Sequence, residues 1–164
     1  MSQTLHPTKI DIADNTRSVM IDILNARLAD SIDLASQMKQ AHWNVKGPAF
    51  IALHELFDNI HDAVQGHIDD IAERIAALGG TARGTAAVAA AASVLPAYPL
   101  DIHAGSEHVE AVSTALAAFG KNVREAIAEA GEVGDANTED LFVGVSRDID
   151  KNLWLVEAHA QAVH

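Results

Sequence analysis

The chain has no cysteine among its 164 residues, which rules out disulfides and thiolate chemistry. Aromatic residues are scarce, at 4%, although 49% of the chain is apolar; abundant alanine makes up much of the difference and favours close-packed helices. No run of 18 apolar residues occurs, so no transmembrane helix is expected. The opening residues MSQTLHPTKIDIADN lack the charged-then-apolar layout of a secretory signal, and a cytoplasmic location is the expectation. Basic residues are few: 11 against 23 acidic, a net charge of −12. That balance argues against simple electrostatic binding to nucleic acid and suits a protein that attracts cations. At this length one domain with a sizeable core is expected.

Four long helical segments and one long connection can be read along the chain. Residues 1–14, of mixed polarity and with Pro7, read as a mobile tail preceding a domain over 15–164. The first helix is predicted to start near Asn15 or Thr16, capped by Asp14 or Asn15, and to reach about Trp43. The second is predicted from Pro48, suited to a first helical turn, to Leu78, stopped by Gly79-Gly80. Residues 79–104 are too long for a hairpin, and the alanine-rich run Ala86 to Ala92 reads as a short helix within them. A third long helix starts near Ser106 with a stripe of Val109, Val112, Leu116, Phe119, Val123 and Ile127, and ends at Gly131 and Gly134. The fourth is predicted to start at a capping Asn137 and carries Leu141, Val145, Ile149, Leu153 and Val156. The fold class is therefore all-α: a four-helix bundle of the ferritin-like kind, with one long crossover carrying a short helix.

The second helix carries two patterns at once. Leu53, Phe57, Ile60, Val64, Ile71, Ile75 and Leu78 form one apolar stripe. With Leu53 at zero and about 100° per residue, that stripe falls within roughly 40° of zero, whereas His54, Asp58, Asp69 and Glu73 fall at about 100°, 140°, 160° and 200°. The polar four share one flank beside the core face. His54/Asp58 and Asp69/Glu73 are each spaced i,i+4, close enough to reach one metal. The two pairs cannot share a metal within one helix, since Asp58 and Asp69 are separated by about 16 Å of rise. Positions 54 and 73 have the same midpoint as 58 and 69, between residues 63 and 64. Two antiparallel copies crossing there would set His54 opposite Glu73 and Asp58 opposite Asp69, a self-complementary contact of the kind a two-fold axis creates.

His42, on the first helix, shares a side with Met20, Leu24, Leu28, Ala35 and Met38, and so points inward or toward an interface. His61, Asp62 and His67 lie near the proposed crossing and read as polar interface residues. Spacing alone leaves two readings open: a metal site, or a solvated acidic flank beside a hydrogen-bonded core histidine. The internal diiron pattern of ordinary ferritins is missing, because no E-x-x-H occurs in the chain. A site within one bundle is thereby disfavoured relative to one between copies.

The run AHWNVKGPAF, the HELFD that follows and DDIAERIAALGG resemble the Dps proteins, small ferritin-like iron proteins. The pattern H-x11-H-x3-D-x10-D-x3-E is met by His42, His54, Asp58, Asp69 and Glu73, with further similarity in YPLDIH and SRDIDKNLW. The resemblance implies a hollow homododecamer with ferroxidase centres at two-fold interfaces. His42, His54 and Asp58 would come from one subunit, and Asp69 and Glu73 from its neighbour. It implies oxidation of Fe(II), preferably by hydrogen peroxide over oxygen, and storage of ferric mineral. It also implies acidic pores, for which Asp140 matches a position neighboured by Asp135 and Glu139; acids favoured by the helix dipole are the competing reading.

Two imidazoles and three carboxylates suit Fe(II), and also Mn, Co or Zn; zinc, being redox-inert, would inhibit. Trp43, next to His42, is a candidate electron donor when only one iron is bound, or else a packed interface aromatic. DNA binding is expected to be weak or absent at neutral pH: residues 1–14 hold Lys9 against Asp11 and Asp14. His6, His159 and His164 allow weak binding in acid. A nucleoid-associated shell with secondary metal binding is the alternative function.

Overall fold

A computed structural model of the chain describes residues 5–161. Five helices follow in order: α1 (Asp14–Asn44), α2 (Phe50–Ala77), α3 (Ala86–Ala92), α4 (Gly105–Val133) and α5 (Ala136–Glu157). No strand occurs among the described residues, apart from one isolated backbone bridge between Lys46 and Ala104. The short turn after α1 folds α2 back along it, and α5 folds back along α4 in the same way. The hairpins meet through α1 against α4 and α2 against α5, and the crossover lays α3 on α1. This is the expected ferritin-like bundle, with its short crossover helix spanning the predicted residues.

The apolar stripe of α2 is the core: Leu53, Phe57, Ile60, Val64, Ile71, Ile75 and Leu78 are all buried. Met20, Leu24, Leu28 and Met38 face it from α1. On α5 the buried line passes through Phe142 as well as Val145, Ile149 and Val156, while Leu141 and Leu153 are only partly covered. The alternation of alanine with large side chains on α4 (Ala115, Leu116, Phe119, Val123, Ala126, Ala130) lets the neighbouring helices approach closely.

Helix ends depart from expectation in instructive ways. Ala13 precedes α1, and Asp14 lies inside its first turn, where it pairs with Arg17 at 2.6 Å. The cap of α5 is Asp135 rather than Asn137: its carboxylate accepts from the Thr138 N–H at 3.2 Å. The reason lies one residue upstream. Gly134 takes the left-handed conformation (φ 80°) that closes α4, so only Asp135 remains to start the next helix. Gly131 lies inside α4 and ends nothing.

From residue 5 onward, the segment expected as a tail lies against the bundle. The His6 N–H donates to the Gly79 carbonyl at 2.8 Å, and Leu5 and Ile12 pack on the core. Arg17 completes the clasp: one Nη donates to the Leu78 carbonyl at 2.8 Å, and its Nε to that of Ile12 at 3.2 Å. Gly79 has φ 86°, and a Cβ there would lie 2.4 Å from the His6 carbonyl oxygen. Residues 1–4 and His164, parts of the tail and acid-binding expectations, fall outside the described residues.

Candidate metal centre

The end of α1 and the second turn of α2 bring His42 and His54 face to face. The His42 Nδ1 lies 2.8 Å from the His54 carbonyl oxygen, and the His54 Nδ1 lies 2.8 Å from the His42 carbonyl oxygen. The rings stack with centroids 3.7 Å apart and planes 20° apart. A carbonyl only accepts, so each Nδ1 carries the proton and each Nε2 keeps a free lone pair. Backbone geometry thereby fixes both imidazoles in the tautomer that can ligate a metal through Nε2. Phe50 covers the outer side of His54, with ring centroids 5.1 Å apart.

Asp58, one turn beyond His54, stands beside them, with Oδ1 3.9 Å from the His42 Nδ1. It forms a short ion pair with Lys39 of α1, a residue that reading along α2 did not single out. The Lys39 hydrogen bond is the main cause holding the Asp58 carboxyl below its usual range, with partial desolvation opposing it and the Lys39 charge adding to it. Lys39 precedes His42 by one helical turn, so it occupies the place beside Asp58 that a cation would seek.

Asp69 and Glu73 lie further along the same flank of α2, both exposed. The structure does not bring them to His42, His54 and Asp58 within a protomer. Among the described residues, no three His, Asp or Glu side chains of one chain stand together as a metal would require. One protomer thus carries two oriented imidazoles and a nearby carboxylate, and separately two open carboxylates.

Trp43 is 69% exposed. It lines a groove of about 430 Å³ between α1 and α2 with Lys39, His61, Gln65 and Ile68. His61 is fixed by its Nδ1 on the Ala35 carbonyl at 3.0 Å, and His67 pairs with Asp148 at 2.9 Å. Asp140 is exposed at the start of the second turn of α5, and Glu139, in the first turn, is half-buried. Asp135 does not fit the pore reading. Its carboxylate is 1% exposed and takes Arg74 Nη2 at 2.7 and 3.0 Å, so it is an internal cap and not a lining group.

The ferritin-like domain family matches residues 21–163. A relative from Agrobacterium fabrum, called DNA protection during starvation protein, is 46% identical over 95% of this chain and 96% of its own length. The chain belongs to the Dps family. Its Dps fold is that of DpsA14 from Streptomyces coelicolor, with a TM-score of 0.93 and 36% identity over 99% of this chain and 96% of that one. A relative 34% identical, over 88% of this chain and 76% of its own, is the fine tangled pili major subunit of Haemophilus ducreyi. Membership of the Dps family makes this chain a mini-ferritin. No described helix is long and apolar enough to cross a membrane.

Proposed function

We propose that this mini-ferritin oxidises Fe(II) with hydrogen peroxide, more slowly with oxygen, and stores the ferric product in a shell of twelve copies. The observation that carries the reading is the reciprocal histidine lock, which leaves two Nε2 lone pairs free, with Asp58 one helical turn beyond His54. His42, His54 and Asp58 of one protomer meet the partner subunit's Asp69 and Glu73 across a two-fold axis. The donor set is hard oxygen and borderline nitrogen, which suits Fe(II) and favours Fe(III) once formed. The split of donors within one chain supports a site that only a second copy completes. So does the exposed apolar rim of Trp43, Phe50 and Ile51 around it, surface that a partner would cover.

Two ferrous ions bound as substrate give one electron each to peroxide, which takes up two protons and leaves as two waters. Lys39 occupies Asp58 until metal arrives, and its displacement frees Oδ1 for the metal. Asp140, with Glu139 beside it, lines the route by which iron reaches the interior. Zinc fills the same donor set and inhibits, since it gives no electron. Trp43 borders the centre as an exposed aromatic that the partner copy packs against.

The test is sizing followed by addition of Fe(II) and peroxide. A particle of about 209 kDa, twelve copies of 17.4 kDa, should consume about two Fe(II) per peroxide and hold the iron in solution. The double substitution His54→Ala with Asp58→Ala should abolish the fast oxidation in an intact shell. Unchanged oxidation in that variant, or a protein that stays monomeric, would defeat the reading.

A further inference from the structure

The chain has one tyrosine, and that tyrosine is bonded to a buried imidazole. The Tyr98 hydroxyl lies 2.6 Å from the His108 Nδ1. Tyr98 is half-buried on the crossover, and His108, in the first turn of α4, is 1% exposed. The His108 Nε2 is buried without a hydrogen-bond partner. Native interiors seldom leave a ring nitrogen so, and neither group belongs to the proposed iron centre.

We infer that Tyr98 and His108 form a proton-coupled electron-donor pair that delivers one electron to peroxide when the centre holds a single ferrous ion. The inference rests on the ferroxidase reading. The step balances as follows. Peroxide needs two electrons and two protons from solvent to become two waters. One electron comes from Fe(II), which becomes Fe(III), and one from Tyr98. The phenolic proton moves to the His108 Nδ1, leaving a neutral phenoxyl radical and an imidazolium. A later Fe(II) returns the electron, and the proton goes back to oxygen.

Three features suit the pair to this. Burial pushes the Tyr98 hydroxyl above its ordinary range, so the phenol keeps its proton at rest. Burial likewise holds His108 low, against the pull of Glu107 and of the backbone at Asn44 and Ile102; the imidazole therefore rests neutral, ready to accept. The pair also sits at the end of α1 that carries His42. Lys46, four residues on, bonds through its N–H to the His103 carbonyl at 2.9 Å, and its own carbonyl accepts from Gly105 at 3.1 Å. The Asn44 backbone that acts on His108 is two residues from His42. Tyr98 also borders an open cleft of about 540 Å³ with Gln37, Pro99, Ile102 and Glu110. The other large aromatic donors, Trp43 and Trp154, are 69% and 59% exposed, and among the described residues neither is hydrogen-bonded to an imidazole as Tyr98 is.

The experiment has two arms on the full chain in its native assembly. Without iron, the protein is oxidised by flash-generated ruthenium(III) tris-bipyridine and followed by electron paramagnetic resonance. A neutral phenoxyl signal is expected, absent in Tyr98→Phe and reduced at least tenfold in His108→Gln, with particle size and helicity unchanged in both. With one Fe(II) per centre and excess peroxide, the same signal should appear within the oxidation phase. An undiminished signal in Tyr98→Phe, or equal yields with and without His108, overturns the inference. If iron is oxidised but no phenoxyl forms, the inference fails alone. If iron is not oxidised at all, the ferroxidase reading fails and the inference falls with it.

Discussion

His42 and His54 hold each other by the backbone, each Nδ1 on the other's carbonyl at 2.8 Å. The arrangement ties the end of α1 to the second turn of α2 and orients both Nε2 atoms proposed as ligands, so one substitution should do two kinds of harm. His54→Ala removes a proposed ligand, leaves the His42 carbonyl unbonded and frees the His42 ring from its stack. Lost neutral hydrogen bonds of this type cost about 1 kcal/mol each, so the metal-free protein should lose roughly 1–3 kcal/mol. Asp58→Ala should weaken metal binding as much and melt close to the unsubstituted protein, because its carboxylate bonds a half-exposed lysine only. Equal melting of the two variants, measured without metal, would remove the structural half of the argument.

The ion pair between Lys39 and Asp58 yields a prediction of opposite sign. A metal ion must displace the Lys39 ammonium from the carboxylate and also approach a positive charge. Lys39→Met removes both obstacles. Asp58 then returns toward the ordinary carboxylate range near 4 and stays ionised at pH 7. Cobalt(II), followed by its visible absorbance, should bind several-fold more tightly to the variant. Equal or weaker binding would mean that Lys39 helps to build the centre instead of competing for it.

These two residues also show where reading the chain stops. The α2 stripe and four of the five motif residues, His54, Asp58, Asp69 and Glu73, lie on one helix at its own period, and periodicity reports such arrangements well. Lys39 meets Asp58 across two helices, a relation that no spacing along either one encodes. The cap at Asp135 was hidden because its choice depends on where Gly134 ends the previous helix. Gly131 reads as a stop along the chain, yet it lies inside α4, and the reversal falls to Gly134, the only one of the two with a left-handed φ. The clasp of residues 5–13 rests on backbone bonds to Gly79 and leaves no hydrophobic period to detect. Asp69 and Glu73 lie apart from the histidines in a single protomer, so the proposed meeting with them needs a second copy.

Arg74 and Asp135 make stability depend on pH in a way that one substitution should invert. Burial alone would raise Asp135, but hydrogen bonds from Thr138 and Arg74 outweigh it and hold the carboxyl below its usual range. A depressed folded value means the unfolded chain binds more protons, so the pair's contribution is full above the unfolded value of about 3.9. It is lost as pH falls through the lower folded value. Arg74→Met leaves a buried carboxylate without its cation, at a cost of about 3–5 kcal/mol near neutrality. In that variant the folded value lies above the unfolded one, and acidification should recover part of the loss. Melting temperatures between pH 3 and 7 check this; parallel curves for the two proteins would contradict it.

DNA binding is the property that the names of the relatives suggest and that this chain's charge opposes. Each copy carries a net charge of −12, and phosphate contacts require clustered cations whose counterion release drives association. Lys9 is exposed but has Asp11 exposed two residues away, on a segment fastened to the bundle. Acid does not reverse the balance. Charging all nine histidines against −12 still leaves −3 per copy. The intact assembly should therefore leave plasmid mobility unchanged at pH 8 in physiological salt. At pH 6 it should retard DNA only at low ionic strength, where screening is weakest. A distinct band shift at pH 8 would show that a local basic surface outweighs the net charge, and single Lys→Ala substitutions would then locate it through a reduced salt dependence.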